Sequence, residues 1–167
     1  ALAGGSADGV VVATGRHGAR GAAIALLRDL VGRGVPAVVL LDRSPDPAIP
    51  AIRVDVEGGA YAATRHLIGL GHRRIGHLAL DRPGPIEEDE SSQGDRYRGY
   101  RRALGEVGVE PDPAWLVRGA DTLAGGASMV AELLARPGRP PSAILVYNDL
   151  TAIGALHGLR AAGLAVP

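Results

Sequence analysis

At 167 residues, 46% of them hydrophobic, the chain is long enough for one ordinary domain or two small ones with a sizeable core. Eighteen basic residues, all arginine, balance eighteen acids to a formal net charge of zero, which is not the electrostatic footprint of a chain that itself neutralises nucleic-acid phosphates. The lack of cysteine excludes a disulfide framework and a thiolate metal site, and no apolar run approaches the roughly 18 residues that a membrane span requires.

The first fifteen residues, ALAGGSADGVVVATG, have no basic segment ahead of their apolar run, so they do not read as a secretory leader. They read as a chain entered mid-fold. Without phenylalanine, and with one tryptophan and four tyrosines, the core is expected to be built from Ala, Val, Leu and Ile, a composition suited to helices packed on a parallel sheet.

Val10 to Ala13 predicts a strand buried on both faces, ended by Thr14-Gly15. Over 19–31 the apolar residues Ala23, Leu26, Leu27, Leu30 and Val31 mark one helix face, and Gly32 to Gly34 stop it. Ala37 to Leu41 is the next strand, ending in Asp42-Arg43, and the three prolines of Ser44 to Pro50 predict a surface loop.

A helix opened by Asp55 to Gly58 and closed near Gly69-Leu70-Gly71 follows, with Ala60, Ala63, Leu67 and Leu70 on its expected inner face. The run from Arg74 to Leu80 is a buried strand. The four consecutive acids Glu87 to Glu90 predict a mobile solvated loop, or a lid or cation-attracting rim.

Gly94 to Val107 predicts a helix, Trp115 to Val117 a short strand, Leu123 to Ala135 a helix, Ala143 to Tyr147 a buried strand, and Asn148-Asp149 the opening of a helix through Leu159. Strand and helix alternate throughout. The fold class is therefore α/β, with doubly wound parallel sheets.

In such sheets ligands bind beyond the carboxyl ends of the strands. That rule selects Thr14-Gly15, Asp42-Arg43, the segment Asp81 to Arg96, Asp121-Thr122 and Asn148-Asp149. Asp accepts from two hydroxyls, Asn both donates and accepts, and Arg offers a rigid fork, a set suited to a small polyhydroxylated or anionic ligand. Purely structural roles fit too: Asn148 or Asp149 as a helix cap, Asp42 paired with a neighbouring Arg, and Arg96 in an intrahelical pair.

Gly69, Gly71 and Gly76 lie between a helix and the following strand, the reverse of the polarity a phosphate loop needs. No nucleophile elbow, zinc-protease motif or P-loop is present. His17, His66, His72, His77 and His157 do not cluster, so packing or capping accounts for them. The residues nominate no catalytic group, no metal site and no cofactor.

VPAVVLLDR (35–43), VDVEGGAYAATRHLIGLGHRRIGHLA (54–79), DRYRGYRRAL (95–104) and YNDLTAIGALHGLRAAGLAVP (147–167) together resemble the lactose-repressor and galactose-repressor family of bacterial transcription regulators. The resemblance implies a periplasmic-binding-protein-like (type I) core of two subdomains clamped about an effector, incomplete at both ends. It assigns residues 1–53 to the later part of the N-terminal subdomain and 54–167 to most of the C-terminal one, with Arg53 to Glu57 as a hinge.

By the same resemblance Asp42, Arg96 and Asn148 are effector contacts, joined less directly by Ser92 and Asp121. The implied protein is a cytoplasmic homodimeric repressor, not an enzyme. It senses a small effector such as a sugar and binds operator DNA through a helix-turn-helix outside this chain, with no membrane partner. Many sugar-binding relatives carry an aromatic where this chain has Asp121. The alternative is a periplasmic sugar-binding protein serving transport. On the last helix Ile153, Leu156, His157 and Arg160 form a stripe that is either a dimer contact or core.

Overall fold

The computed structural model describes residues 8–13, 20–40 and 49–167, with side chains 20–24 excepted. The chain divides into two compact units, 1–54 and 55–167.

In the first unit, β1 (Val10–Ala13), α1 (Arg20–Gly32), β2 (Ala37–Leu40) and β3 (Ala51–Ile52) form a parallel sheet in the order β1-β2-β3. Val10 pairs with Ala37 and Val39 with Ala51. Leu27 of α1 packs with Ala37, Val39 and Ile49. Burial of β1 on both faces is not observed: Val11 is 65% exposed, and among the described residues β1 packs on the core through Val12, on its other face. The two-residue strand β3 was hidden by the proline-rich stretch before it, most of which lies outside the described residues.

The second unit is built on α2 (Val56–Gly69), β4 (Ile75–Leu80), α3 (Ser92–Gly105), β5 (Leu116–Gly119), α4 (Leu123–Ala135), β6 (Ala143–Val146) and α5 (Asp149–Ala161). Its parallel sheet has the order β5-β4-β6, with Leu78 opposite both Val117 and Val146. The central strand β4 is buried on both faces. Ile75 and Ala79 join Ile68, Tyr97, Tyr100, Ala103 and Leu104 under α2 and α3. Leu78 joins Val117, Met129, Val130, Leu133 and Ala155 under α4 and α5.

Helix α2 starts where Asp55 accepts from the Gly58 amide at 2.8 Å, which satisfies one otherwise orphaned donor of the first turn. Its buried residues are Ala60, Thr64 and Ile68; of the predicted face, Ala60 is buried and Leu67 packs half-buried against the core, while Ala63 and Leu70 do neither. Leu70 is 64% exposed and Ala63 is on the outside. A threonine can occupy the core line because its Oγ1 donates to the Ala60 carbonyl at 2.8 Å, removing the cost of an unpaired hydroxyl. Glu57, in the first turn, accepts from Arg102 of α3 at 2.8 Å and lies 3.7 Å from Arg98.

In the acidic segment Glu87, Glu88 and Glu90 are exposed, as a solvated loop requires, but the stretch also carries local structure. Ile86 is buried in the core under α3, and residues 86–88 form a 3₁₀ turn. Asp89 accepts from the Ser91 amide at 2.8 Å, and its carbonyl accepts from Arg98 at 3.1 Å. Burial of one apolar side chain and these local bonds outweigh screened repulsion among surface carboxylates. Ser91 then caps α3, whose start lies two residues before the predicted Gly94. A 3₁₀ turn over Pro113–Trp115 displaces the start of β5 to Leu116. Its carbonyls and that of Leu116 are gathered by Arg136, which donates to Ala114 and Leu116 at 2.9 Å.

Both helix pairs meet backbone to backbone at glycines. A Cβ on Gly99 of α3 would lie 2.2 Å from the Glu57 carbonyl oxygen, and one on Gly154 of α5 would lie 2.1 Å from that of Leu123. By contrast a Cβ on Gly59 meets nothing within 4 Å.

His77 occupies the middle of β4, fully buried, stacked on Tyr100 with ring centroids 5.3 Å apart. Neither ring nitrogen has a hydrogen-bond partner. Burial, with the charge of Arg96 as a lesser cause, pushes its pKa down from 6.5 to about 4. The Leu145 carbonyl acts weakly in the opposite direction, too poorly placed to count as a bond.

Two outcomes are expected. Gly154→Ala lowers unfolding free energy in urea by about 1–3 kcal/mol through overpacking, whereas Gly59→Ala raises it by up to about 1 kcal/mol through helix propensity. Between pH 6.5 and 4 the unfolded chain binds a proton at His77 that the folded chain refuses, so stability falls as pH is lowered across that window. The full loss is on the order of 3 kcal/mol. Urea titrations at pH 7 and pH 4.5 should show this difference shrinking in His77→Phe; an unchanged difference would assign the acid sensitivity to other groups.

Candidate functional site

All three strands of the second unit run the same way, so the residues following Leu80, Gly119 and Val146 emerge along one edge of the sheet. The helices that follow begin there, capped by Ser91, Thr122 and Asn148. Such helix starts carry free backbone N–H groups and a positive dipole end.

Gln93, buried in the first turn of α3, ties this edge to the sheet: its side-chain amide accepts from Leu80 N at 2.7 Å and donates to Leu80 O at 3.0 Å. With the start of α3 fixed in this way, Arg96 lies one turn further on. Its Nη1 donates to the Ser92 carbonyl at 2.9 Å, and its guanidinium lies over the Tyr147 ring, 4.5 Å from the centroid. Tyr147 is 6% exposed and holds the flat guanidinium by cation–π attraction. The acid in the same turn, Asp95, is paired with Arg98.

The next residue, Asn148, has both of its amide atoms engaged. Its Oδ1 accepts from the Thr151 backbone N at 2.9 Å and lies 2.8 Å from the Thr151 hydroxyl. Its Nδ2 donates to Asp121 Oδ1 at 2.6 Å. Asn148, rather than Asp149, is thus the helix cap, and the capping role coexists with an amide directed to the loop after β5. Asp149 is exposed in the first turn of α5.

Four of the five predicted site residues therefore form one connected group: Ser92 touches Arg96, Arg96 stacks on Tyr147, and Tyr147 leads into Asn148, which bonds Asp121. Ser92 takes part through its carbonyl, and its side chain is exposed. Asp42 lies outside the described residues, as do Thr14, Gly15 and Arg43. Tyr147, Gln93 and Thr151 were not singled out from the sequence. An aromatic at the carboxyl end of a buried strand was the available signal for Tyr147; nothing local announces Gln93.

Chemically the group offers arginine and amide N–H donors beside one carboxylate acceptor. It suits recognition of oxygen-rich small molecules more than proton transfer or nucleophilic attack, since neither a histidine nor an activated hydroxyl stands in it. Among the described residues there is no cluster of three or more His, Cys, Asp or Glu able to hold a metal ion, and no helix long and apolar enough to cross a membrane.

The sequence profile of the periplasmic binding protein-like domain matches residues 64–167. The transcriptional regulator GalS of Salmonella typhimurium, a helix-turn-helix-type protein, is 37% identical over 134 residues, which is 80% of this chain and 37% of that protein. The repressor CytR of Escherichia coli, of the same type, is 33% identical over 136 residues, 81% of this chain and 38% of CytR. The chain thus spans less than two fifths of either relative. Among solved structures, a sugar-binding transcriptional regulator of the LacI family from Escherichia coli, complexed with phosphate, superposes with a TM-score of 0.77 at 27% identity. That match covers 96% of this chain and 54% of the other. These relatives are transcription regulators rather than enzymes. The chain belongs to the periplasmic binding protein-like family, within the lactose-repressor and galactose-repressor group of transcription regulators.

Proposed function

We propose that this chain is the effector-sensing core of a bacterial transcription repressor, responding to a small sugar or related metabolite and controlling DNA binding by a helix-turn-helix outside it. The observation that carries the reading is the connected group Ser92, Arg96, Tyr147, Asn148 and Asp121 at the carboxyl edge of a parallel sheet, where α/β proteins bind small ligands. Arg96 and Asn148 are the principal effector contacts, with Ser92 and Asp121 beside them; Asp42 is proposed as a further effector contact.

On this reading residues 1–53 are the later part of the N-terminal subdomain and 54–167 most of the C-terminal one. Arg53 to Glu57 act as the hinge between them. The repressor works in the cytoplasm as a homodimer and carries no catalysis. The stripe Ile153, Leu156, His157 and Arg160 is consistent with a dimer contact: Ile153 is 48% exposed, His157 and Arg160 are exposed, and Leu156 is half-buried. Relatives named as helix-turn-helix-type regulators favour a repressor over a transport protein.

A thermal-shift screen of neutral sugars, nucleosides and phosphosugars on the full-length protein tests this. An effector at a hundred times its Kd adds about 2.7 kcal/mol of stability. Arg96→Ala should abolish that shift with the far-ultraviolet circular dichroism unchanged, and the same ligand should alter operator affinity in a gel-shift titration. A ligand shift that survives Arg96→Ala removes Arg96 from the site.

A further inference from the structure

The amide of Asn148 can point only one way. Its Oδ1 faces the Thr151 backbone N–H at 2.9 Å, and a backbone N–H only donates. Its Nδ2 faces Asp121 Oδ1 at 2.6 Å, and a carboxylate only accepts. Rotating the amide by half a turn would set donor against donor at Thr151 and acceptor against acceptor at Asp121. The polarity of this side chain is therefore dictated by its two partners rather than left to the ligand.

The Thr151 hydroxyl, buried and 2.8 Å from the same Oδ1, also lies 3.1 Å from the Asn148 carbonyl and strengthens that half of the arrangement. An amide nitrogen carries two hydrogens, and the bond to Asp121 uses one. What Asn148 can give a ligand is thus a single N–H donor, beside a carboxylate.

We propose that Asp121, acting with Thr151, is a positioning residue that orients the Asn148 amide so that it presents one N–H donor to an acceptor oxygen of the effector. This inference rests on the sensing function proposed above. A donor-only group cannot accept from the Asn148 N–H. A sugar hydroxyl or ring oxygen accepts from Asn148, and an adjacent hydroxyl can donate to Asp121.

Nitrogen-labelled full-length protein provides a readout that needs no ligand. The Asn148 side-chain amide is identified by its disappearance in Asn148→Ser. It should show one strongly downfield, slowly exchanging proton, lost in Asp121→Ala and kept in Asp121→Asn, whose carboxamide oxygen still accepts. D-ribose, D-galactose and D-ribose 5-phosphate are then titrated. Asp121→Ala should weaken about tenfold the binding of the sugar that wild type takes, the loss of roughly one hydrogen bond, and Asp121→Asn should restore it. Sugar binding accompanied by an amide signal that ignores Asp121 overturns the inference and leaves the sensing function standing. An intact amide signature with no response to any of the three sugars counts against the sensing site itself.

Discussion

The second unit depends on one strand being apolar on both of its faces. Isolated in water, β4 would expose Ile75 and Ala79 on one side and Leu78 on the other; the fold exists because a pair of helices covers each side. That requirement is met with β4 central in the order β5-β4-β6, and the parallel strands send every following loop to the same edge. Burial of apolar area at roughly 25 cal/mol per Å² drives this arrangement, and the position of the polar group at the edge is its by-product. The binding chemistry is placed by hydrophobic packing some distance behind it.

The same residues serve the backbone and the site. A helix that starts at the carboxyl edge must find partners for its first N–H groups, and Ser91, Thr122 and Asn148 supply them. At Asn148 the cap also turns the remaining amide atoms toward Asp121, so satisfying the helix and presenting a donor are one act. Arg96 is held in an analogous way, by the Ser92 carbonyl below it and the Tyr147 ring beside it. Little conformational entropy is left in these side chains to be lost when a ligand arrives, and such preorganisation raises affinity without adding contacts.

Alternation of strand and helix was legible because hydrophobic periodicity and glycine stops are local signals. The bounds of α1, α4 and β4 follow from them almost residue for residue. Features set by tertiary context were not legible. The inner face of α2 includes Thr64, which a hydrophobicity pattern rejects and a bond to the Ala60 carbonyl permits. The acids Glu87 to Glu90 read as free because repulsion is visible in sequence and the burial of Ile86 beneath α3 is not. For the candidate site, strand-end position pointed to Arg96, Asp121 and Asn148. The partners that orient them, Tyr147 and Thr151, are defined by distances between segments remote in sequence or by side-chain direction, which spacing does not encode.

The glycine contacts between helices have a mechanical meaning. Where Gly99 rests on the Glu57 carbonyl and Gly154 on that of Leu123, main chain bears directly on main chain with no flexible side chain between. A joint of this kind resists shear, because sliding by a fraction of an ångström drives a carbonyl oxygen into a Cα. Within each helix pair these contacts fix the axial register of one helix against the other. Gly99, three residues after Arg96 on α3, is thus where that helix bears on Glu57 at the start of α2.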